Sequence, residues 1–117
     1  MKPFIYAIRG IATLFQTQRN ARIHLAFLLL AVVCGIVFEI SPGEWCAVLL
    51  AAGLVLAAEA LNTALEFLAD VVHPEQHPGV GRAKDAAAGA VLIAAIAAAA
   101  VGAIVFVPKI ISWITSN

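Results

Sequence analysis

Four polar side chains interrupt a long apolar stretch in the middle of the chain. In AAEALNTALEFLADVVHP they are Glu59, Asn62, Glu66 and Asp70. At about 100° per residue they fall within an arc of about 80° on one face of a helix. Carboxylate and amide oxygens suit Mg²⁺, which usually arrives carrying substrate phosphates, and a carboxylate can take a proton from an alcohol. The spacing therefore predicts one acidic stripe with the groups needed for phosphoryl transfer.

Basic residues follow the stripe after a short connection. The segment GRAKDAAAG supplies Arg82, Lys84 and Asp85, and cations at this position could hold phosphate oxygens. The preceding Gly79 and Gly81 do not have the spacing of a Walker A loop. They favour either a flexible loop or a phosphate cradle.

The composition indicates a membrane protein. Hydrophobic residues make up 63% of the 117 residues, only 12% are charged, and the mean hydropathy is +1.01, whereas soluble domains average about 25% charged residues. The formal net charge is zero, which disfavours nucleic acid as a partner. Cys34 and Cys46 have no ligand-spaced companions and are interpreted as packing residues.

Apolar runs and turn residues predict an all-α membrane protein with a single domain over residues 1–117. Runs near the length needed to span a bilayer predict membrane helices over 22–40, 45–71 and 82–108, preceded by an amphipathic helix over 1–20. Ser41-Pro42-Gly43 predicts a helix stop and reversal, and the Pro- and Gly-containing HPEQHPGVGR predicts a longer irregular loop.

The distribution of Lys and Arg predicts the orientation of the chain in the membrane. Four basic residues precede the first span, Arg82 and Lys84 lie in the second loop, and the first turn carries only Glu39 and Glu44. The positive-inside rule then places the N-terminus and the second loop in the cytoplasm. Glu59 would lie about 9 Å inside the cytoplasmic boundary, so the stripe would open to the cytoplasm alone.

The N-terminal segment predicts an interfacial helix. Phe4, Ile8, Ile11 and Phe15 recur at helical spacing, which is typical of a helix lying along a membrane surface. It would serve either as a simple anchor or as a gate for substrate.

The third span carries a stripe of small residues that predicts close helix packing. Alanine or glycine recurs every fourth residue from Ala86 to Gly102, which allows close approach between helices. A three-helix chain has little interior of its own to enclose the acidic residues, so we expect a homo-oligomer.

Each candidate site residue also has a structural interpretation. Glu59 could make a hydrogen bond between helices, although intramembrane carboxylates are functional by default. Asp70 could be a solvated helix end, and Lys84 and Asp85 could be a snorkelling and a helix-start charge. Arg22 and His24 could be interfacial anchors, and His73 and His77 could be loop residues.

Two motifs identify a family resemblance. EALNTALEFLAD followed by GRAKDAAAGAVL closely resembles the prokaryotic diacylglycerol kinase and undecaprenol kinase family, and the resemblance extends from about Phe4 to Lys109. It implies a homotrimer in a bacterial inner membrane that transfers the γ-phosphate of Mg-ATP to a lipid alcohol at the cytoplasmic face. The active sites would be shared between subunits.

The resemblance also implies roles for individual residues. Glu59 resembles the general base, and Glu66 and Gln18 take the positions of the metal ligands. Glu59, Phe15 and Ala88 take the positions that contact the lipid. The positions implied for ATP are Gln18, Asn62, Glu66, Asp70, Glu75, His77, Lys84 and Asp85.

One position departs from the family pattern. TQRNARIH resembles a segment whose leading residue is Glu, but this chain has Gln18 there. Glutamine keeps an oxygen ligand without the charge, so we expect weaker Mg²⁺ binding unless another carboxylate compensates. RNARIH, KDAAAGAVL and VFVPK are more similar to the undecaprenol kinase branch than to the diacylglycerol kinase branch.

Two functions of other classes remain as alternatives at this point. The acidic stripe could line an oligomeric ion or proton pathway, although its one-sided depth and the cations after it argue against this. The small-residue face could also serve a non-catalytic membrane scaffold.

Overall fold

The computed structural model of the protein describes residues 1–116, which form four α-helices and no strand. These are α1 (Lys2–Thr17), α2 (Arg19–Val37), α3 (Pro42–Val72) and α4 (Pro78–Ser116). The last three are long and apolar enough to cross a membrane. The expected all-α architecture with three candidate spans is therefore confirmed.

The helix ends differ from the ends of the predicted membrane segments. α4 begins at Pro78 rather than at residue 82, and α3 begins at Pro42 rather than at residue 45. α4 also continues through Pro108 to Ser116. Proline lacks the N–H that would bond the carbonyl four residues earlier, but one missing bond does not end the helix here.

The turn between α2 and α3 closes in a Schellman motif. Its N–H groups bond backward, from Glu39 to the carbonyl of Ile36 at 3.3 Å and from Ile40 to that of Gly35 at 3.1 Å. Glu39 has φ 51°, the left-handed conformation that this motif requires and that glycine usually supplies. The reversal therefore lies at residues 38–40.

The predicted turn residues Ser41-Pro42-Gly43 instead begin α3. The Ser41 hydroxyl accepts a bond from the Glu44 N–H at 3.2 Å, and the Glu44 carboxylate accepts one from the Ser41 N–H at 2.9 Å. This capping box satisfies donors at the helix start. Pro42, at the first helical position, has no N–H that needs a partner.

A small apolar cluster packs behind this turn. Ile40, Val48 and Val105 are buried, and Trp45 packs against them. The Trp45 ring also lies against Gly35, because a Cβ on that glycine would come within 2.6 Å of the ring. The absence of a side chain at Gly35 therefore lets α2 approach the start of α3.

α3 and α4 pack antiparallel and form the most extensive helix pair. An ion pair joins them at each end: Glu44 Oε2 lies 3.0 Å from Lys109 Nζ, and Asp70 Oδ1 lies 2.7 Å from Lys84 Nζ. Of the small-residue stripe on α4, Ala94 is buried, whereas Ala86 and Ala90 are exposed.

α1 and α2 meet at a break rather than a loop. Gln18 has extended backbone angles between the two helices. The Arg22 guanidinium donates to the carbonyls of Phe15 at 2.8 Å and Gln16 at 3.3 Å, which satisfies acceptors at the end of α1. On α1, Phe4 and Ile8 are 70% and 67% exposed.

The close contact between Gly35 and Trp45 makes a stability prediction. Gly35→Ala should lower the unfolding free energy of detergent-solubilised protein by about 1–3 kcal/mol, because the added methyl group overpacks a filled site. Thermal unfolding followed by circular dichroism would measure this. Gly10→Ala is the matched control, since nothing lies within 4 Å of a Cβ there; equal stability of the two variants would contradict the prediction.

The two ion pairs should differ in strength. Side chains of Asp70 and Lys84 are 65% and 37% exposed, against 29% and 28% for Glu44 and Lys109, and solvent screens exposed pairs more strongly. Double-mutant cycles built from Asp70→Asn with Lys84→Gln and from Glu44→Gln with Lys109→Gln should give the smaller coupling for the first pair. A larger coupling for Asp70–Lys84 would disprove this ranking.

Candidate active site

Glu59 is an acidic side chain buried in the middle of α3. Its residue is 3% exposed, and most of the neighbouring residues on this helix are apolar. Its Oε1 lies 3.4 Å from Nε2 of His24 on α2. The two side chains are in contact, but the geometry is not that of a hydrogen bond, because Oε1 has no hydrogen-bond partner among residues 1–116.

Two more buried polar atoms lie on the next turn of α3. Asn62 Oδ1 and Thr63 Oγ1 also have no hydrogen-bond partner within the described part of the chain. An unsatisfied buried group costs about 1–3 kcal/mol, so native proteins contain few of them. Three in five residues mark this part of α3 as a place where stability is lost locally.

The acidic stripe changes from buried to exposed along the helix. Glu59 is buried, Glu66 is half-buried and Asp70 is exposed. Asp70 is held at 2.7 Å by Lys84, at the start of α4, and Glu66 is also close enough for its charge to act on Lys84. Lys84 therefore brings a cation from α4 to the exposed end of the stripe.

The connection between α3 and α4 forms a groove of about 590 Å³. Three of the residues expected at the ATP site, Glu75, His77 and Lys84, line it together. Asp85 is exposed and does not belong to this lining. The connection is also shorter than the predicted loop, because Gly79, Gly81 and Arg82 belong to α4.

His77 explains why α4 begins so early. Its Nδ1 accepts hydrogen bonds from the N–H groups of Gly79 at 3.0 Å and Val80 at 3.4 Å, so the imidazole caps the helix in the way that Asn or Ser usually does. Gly79 leaves room for the ring, since a Cβ there would lie 3.1 Å from it. His73 contacts His77 edge-on, with 4.9 Å between the ring centroids. The Nδ1 of His73 donates to the carbonyl of Glu75 at 2.8 Å.

The remaining candidate residues lie on other helices. Gln18 is half-buried at the break between α1 and α2, and its Nε2 donates to Thr17 Oγ1 at 3.2 Å. Phe15 is half-buried near the end of α1, and Ala88 is exposed on α4. The structure records no hydrogen bond from Gln18 to Glu66 among residues 1–116.

Sequence reasoning missed the contact of His24 and the buried hydroxyl of Thr63. The sequence predicts an interfacial anchor at His24, whereas in the structure its imidazole contacts Glu59. No local pattern signals this pairing, because it depends on how α2 packs against α3. Thr63 lies four residues after Glu59, which places it on nearly the same helix face. This spacing could have predicted that its hydroxyl belongs to the same site.

An apolar groove of about 450 Å³ begins at His24 and runs between α2, α3 and α4. Its lining is largely small and aliphatic and includes Ala51, Val55, Ala98 and Gly102. His24 both lines this groove and contacts Glu59, so the groove ends next to the residue that touches the buried carboxylate.

The oxygen donors of α3 are of the kind that a divalent cation such as Mg²⁺ prefers. Residues 1–116 contain no cluster of three or more His, Cys, Asp or Glu side chains able to hold a metal. Mg²⁺ nevertheless often binds through one or two carboxylates together with substrate phosphates and water. Glu66, with the unpartnered Asn62 oxygen one turn away, fits that kind of partial site.

Comparison with known proteins places these features in a family. Residues 5–106 match the family model described as prokaryotic diacylglycerol kinase. The chain is 38% identical over 109 residues to an undecaprenol kinase of Bacillus subtilis, and the aligned region covers 93% of this chain and 89% of that protein. It is 37% identical over 110 residues to a diacylglycerol kinase of Synechocystis, and there the aligned region covers 93% of this chain and 63% of that protein.

The match extends over α2 and α3 and over most of α1 and α4, and it includes the acidic stripe and the start of α4. The chain belongs to the prokaryotic diacylglycerol kinase family.

Proposed function

We propose that this protein is an ATP-dependent lipid kinase that transfers the γ-phosphate of ATP to the hydroxyl group of a membrane lipid alcohol. The observation that carries this proposal is the graded stripe of α3, with a buried carboxylate at one end and an exposed, cation-bearing end at the other. The names of the two relatives support diacylglycerol or undecaprenol as the acceptor.

In the proposed reaction, Glu59 is the general base. The lipid hydroxyl oxygen forms a bond to the γ-phosphorus, the bond from that phosphorus to the bridging oxygen of ADP breaks, and the hydroxyl proton passes to the Glu59 carboxylate. Burial suits this role because the acceptor alcohol is itself held in lipid. The apolar groove that begins at His24 supports a route by which a lipid tail reaches the carboxylate.

The exposed end of the stripe would hold the nucleotide. Lys84 would bind phosphate oxygens, as lysine does at many phosphate sites. Glu75 and His77 line the groove beside Lys84, which supports their expected contact with ATP. The other residues proposed to contact ATP are Gln18, Asn62, Glu66, Asp70 and Asp85.

Magnesium would enter with ATP and neutralise charge on the phosphate oxygens. Glu66 and Gln18 are the residues proposed to hold it. Because Gln18 is uncharged, Glu66 supplies the carboxylate of this pair. Phe15 and Ala88 would contact the lipid.

The proposed setting is the bacterial inner membrane, with the N-terminus and the active site on the cytoplasmic side. The arrangement of Lys and Arg supports this orientation. α1 would lie along the membrane surface, which its exposed Phe4 and Ile8 support. A homotrimer with shared active sites would complete a metal site for which one chain supplies few ligands.

An ion or proton pathway has less support. Between Glu44 and Glu59 the chain has no Asp, Glu, Lys, Arg or His, and the same is true of residues 86–108. A relay across the bilayer needs such groups at successive depths, so the stripe would end as a one-sided site.

The base role predicts the effect of a neutral isostere. Glu59→Gln should reduce kcat at least about a hundredfold, because the amide cannot accept the proton and general-base catalysis typically contributes 10²- to 10⁴-fold. The measurement uses labelled ATP, Mg²⁺ and either diacylglycerol or undecaprenol in mixed micelles. Glu39→Gln, outside the stripe, is the control, and unchanged turnover of Glu59→Gln would remove Glu59 from the base role.

The metal role predicts a gain from a carboxylate at position 18. Gln18→Glu should lower the Mg²⁺ concentration that gives half-maximal activity by about three- to tenfold, because a charged oxygen ligand binds this cation more strongly than an amide. Titration of activity with Mg²⁺ at constant ATP measures the change. Gln16→Glu, two residues earlier on α1, is the matched control, and an equal shift in both variants would indicate a general charge effect instead.

A further inference from the structure

Thr63 differs from the other threonines of this chain in what its hydroxyl does. Thr13, Thr17 and Thr115 each donate to the carbonyl four residues earlier, at 2.9, 2.8 and 2.9 Å. This is the usual way in which a helix satisfies a threonine hydroxyl. Thr63 makes no such bond, and its Oγ1 has no partner among the described residues.

The cost of this arrangement is high because Thr63 is buried. It is 5% exposed, so water does not readily replace the missing partner. The alternative rotamer, with a bond to the carbonyl of Glu59, is available to any helical threonine. The hydroxyl therefore remains unsatisfied at a buried site, where this lowers stability.

The position of Thr63 on α3 indicates what the hydroxyl would meet. Along the helix axis it lies about 6 Å from Glu59 and about 4.5 Å from Glu66, and about 40° around the helix from Glu59. Asn62, whose buried oxygen is also unpartnered, precedes Thr63 by about 1.5 Å along the axis and about 100° around the helix. Along the helix axis Thr63 thus lies between the proposed base and the proposed metal ligand, and around the helix it lies at the edge of the stripe, about 60° from Glu66, next to the path that the phosphoryl group would take.

We propose that the Thr63 hydroxyl donates a hydrogen bond to an oxygen of the γ-phosphoryl group during its transfer to the lipid alcohol. This inference rests on the proposed kinase function. Phosphoryl oxygens carry negative charge and are strong acceptors, whereas the lipid oxygen has Glu59 as its own partner. A fixed donor at this point would stabilise charge in the transition state, and the hydroxyl keeps its proton throughout.

Three variants test the proposal in the micelle assay. Thr63→Val removes the hydroxyl with little change in volume, Thr63→Ser keeps a hydroxyl, and Thr115→Val is the control for removing a threonine hydroxyl elsewhere on a helix. We expect Thr63→Val to lower kcat about ten- to hundredfold with the KM for ATP changed less than threefold. Thr63→Ser and Thr115→Val should stay within about threefold of the wild type.

Thermal unfolding separates this role from a structural one. If the hydroxyl acts only on substrate, Thr63→Val should keep or raise the unfolding temperature without ligand, because valine removes an unsatisfied buried group. A lower unfolding temperature or loss of the oligomer would show instead that the hydroxyl bonds to protein, and the proposal would be wrong.

The kinetic outcomes also distinguish this inference from the proposed function. If wild-type protein transfers label and Glu59→Gln does not, while Thr63→Val retains full kcat, the inference about Thr63 fails and the kinase function stands. If Thr63→Ser is as slow as Thr63→Val, the hydroxyl is not the responsible group. If the wild type transfers no label to either lipid, both proposals fail.

Discussion

The burial of the Glu59 carboxylate among apolar helices is the constraint on which the arrangement of this chain depends. A carboxylate in the centre of a membrane helix costs about 2.5–3.5 kcal/mol on insertion scales. The contact with His24, at 3.4 Å and without hydrogen-bond geometry, offsets only part of that cost. Packing of α3 against α2 and α4 must therefore supply the remainder.

This cost has a spatial pattern. Among residues 1–116, the buried side-chain atoms without a partner lie on one short part of α3, at Glu59, Asn62 and Thr63, whereas three of the helix ends have side-chain partners. The capping box at Ser41, the Arg22 contacts to α1 and the His77 cap each pair donors or acceptors that a helix end leaves free. Hydrogen-bonded helix ends thus accompany a part of α3 whose buried polar atoms lack partners, which is the arrangement expected of a site that binds polar ligands.

The sequence predicted the stripe and the spans because both follow from local periodicity. Four polar residues in an apolar helix lie on one face whatever surrounds it, and apolar runs of about 20 residues indicate membrane helices regardless of topology. The contact between His24 and Glu59 and the burial of Thr63 depend on neighbouring helices, which no local pattern describes. The sequence predicts too late a start for α4 because proline and glycine favour a loop, whereas His77 caps the helix and α4 begins at Pro78.

The pairing of Lys84 with Asp70 has a consequence for ligand exchange. Both side chains are substantially exposed, so water already competes for each of them and little free energy is lost when they separate. The Asp70 carboxylate, at 2.7 Å, holds the Lys84 ammonium group at one place on the surface through a contact that is easily broken. Under the proposed function, an arriving polyanion would therefore replace Asp70 as the counter-ion at small net cost in free energy, and its departure would let the lysine pair with Asp70 again.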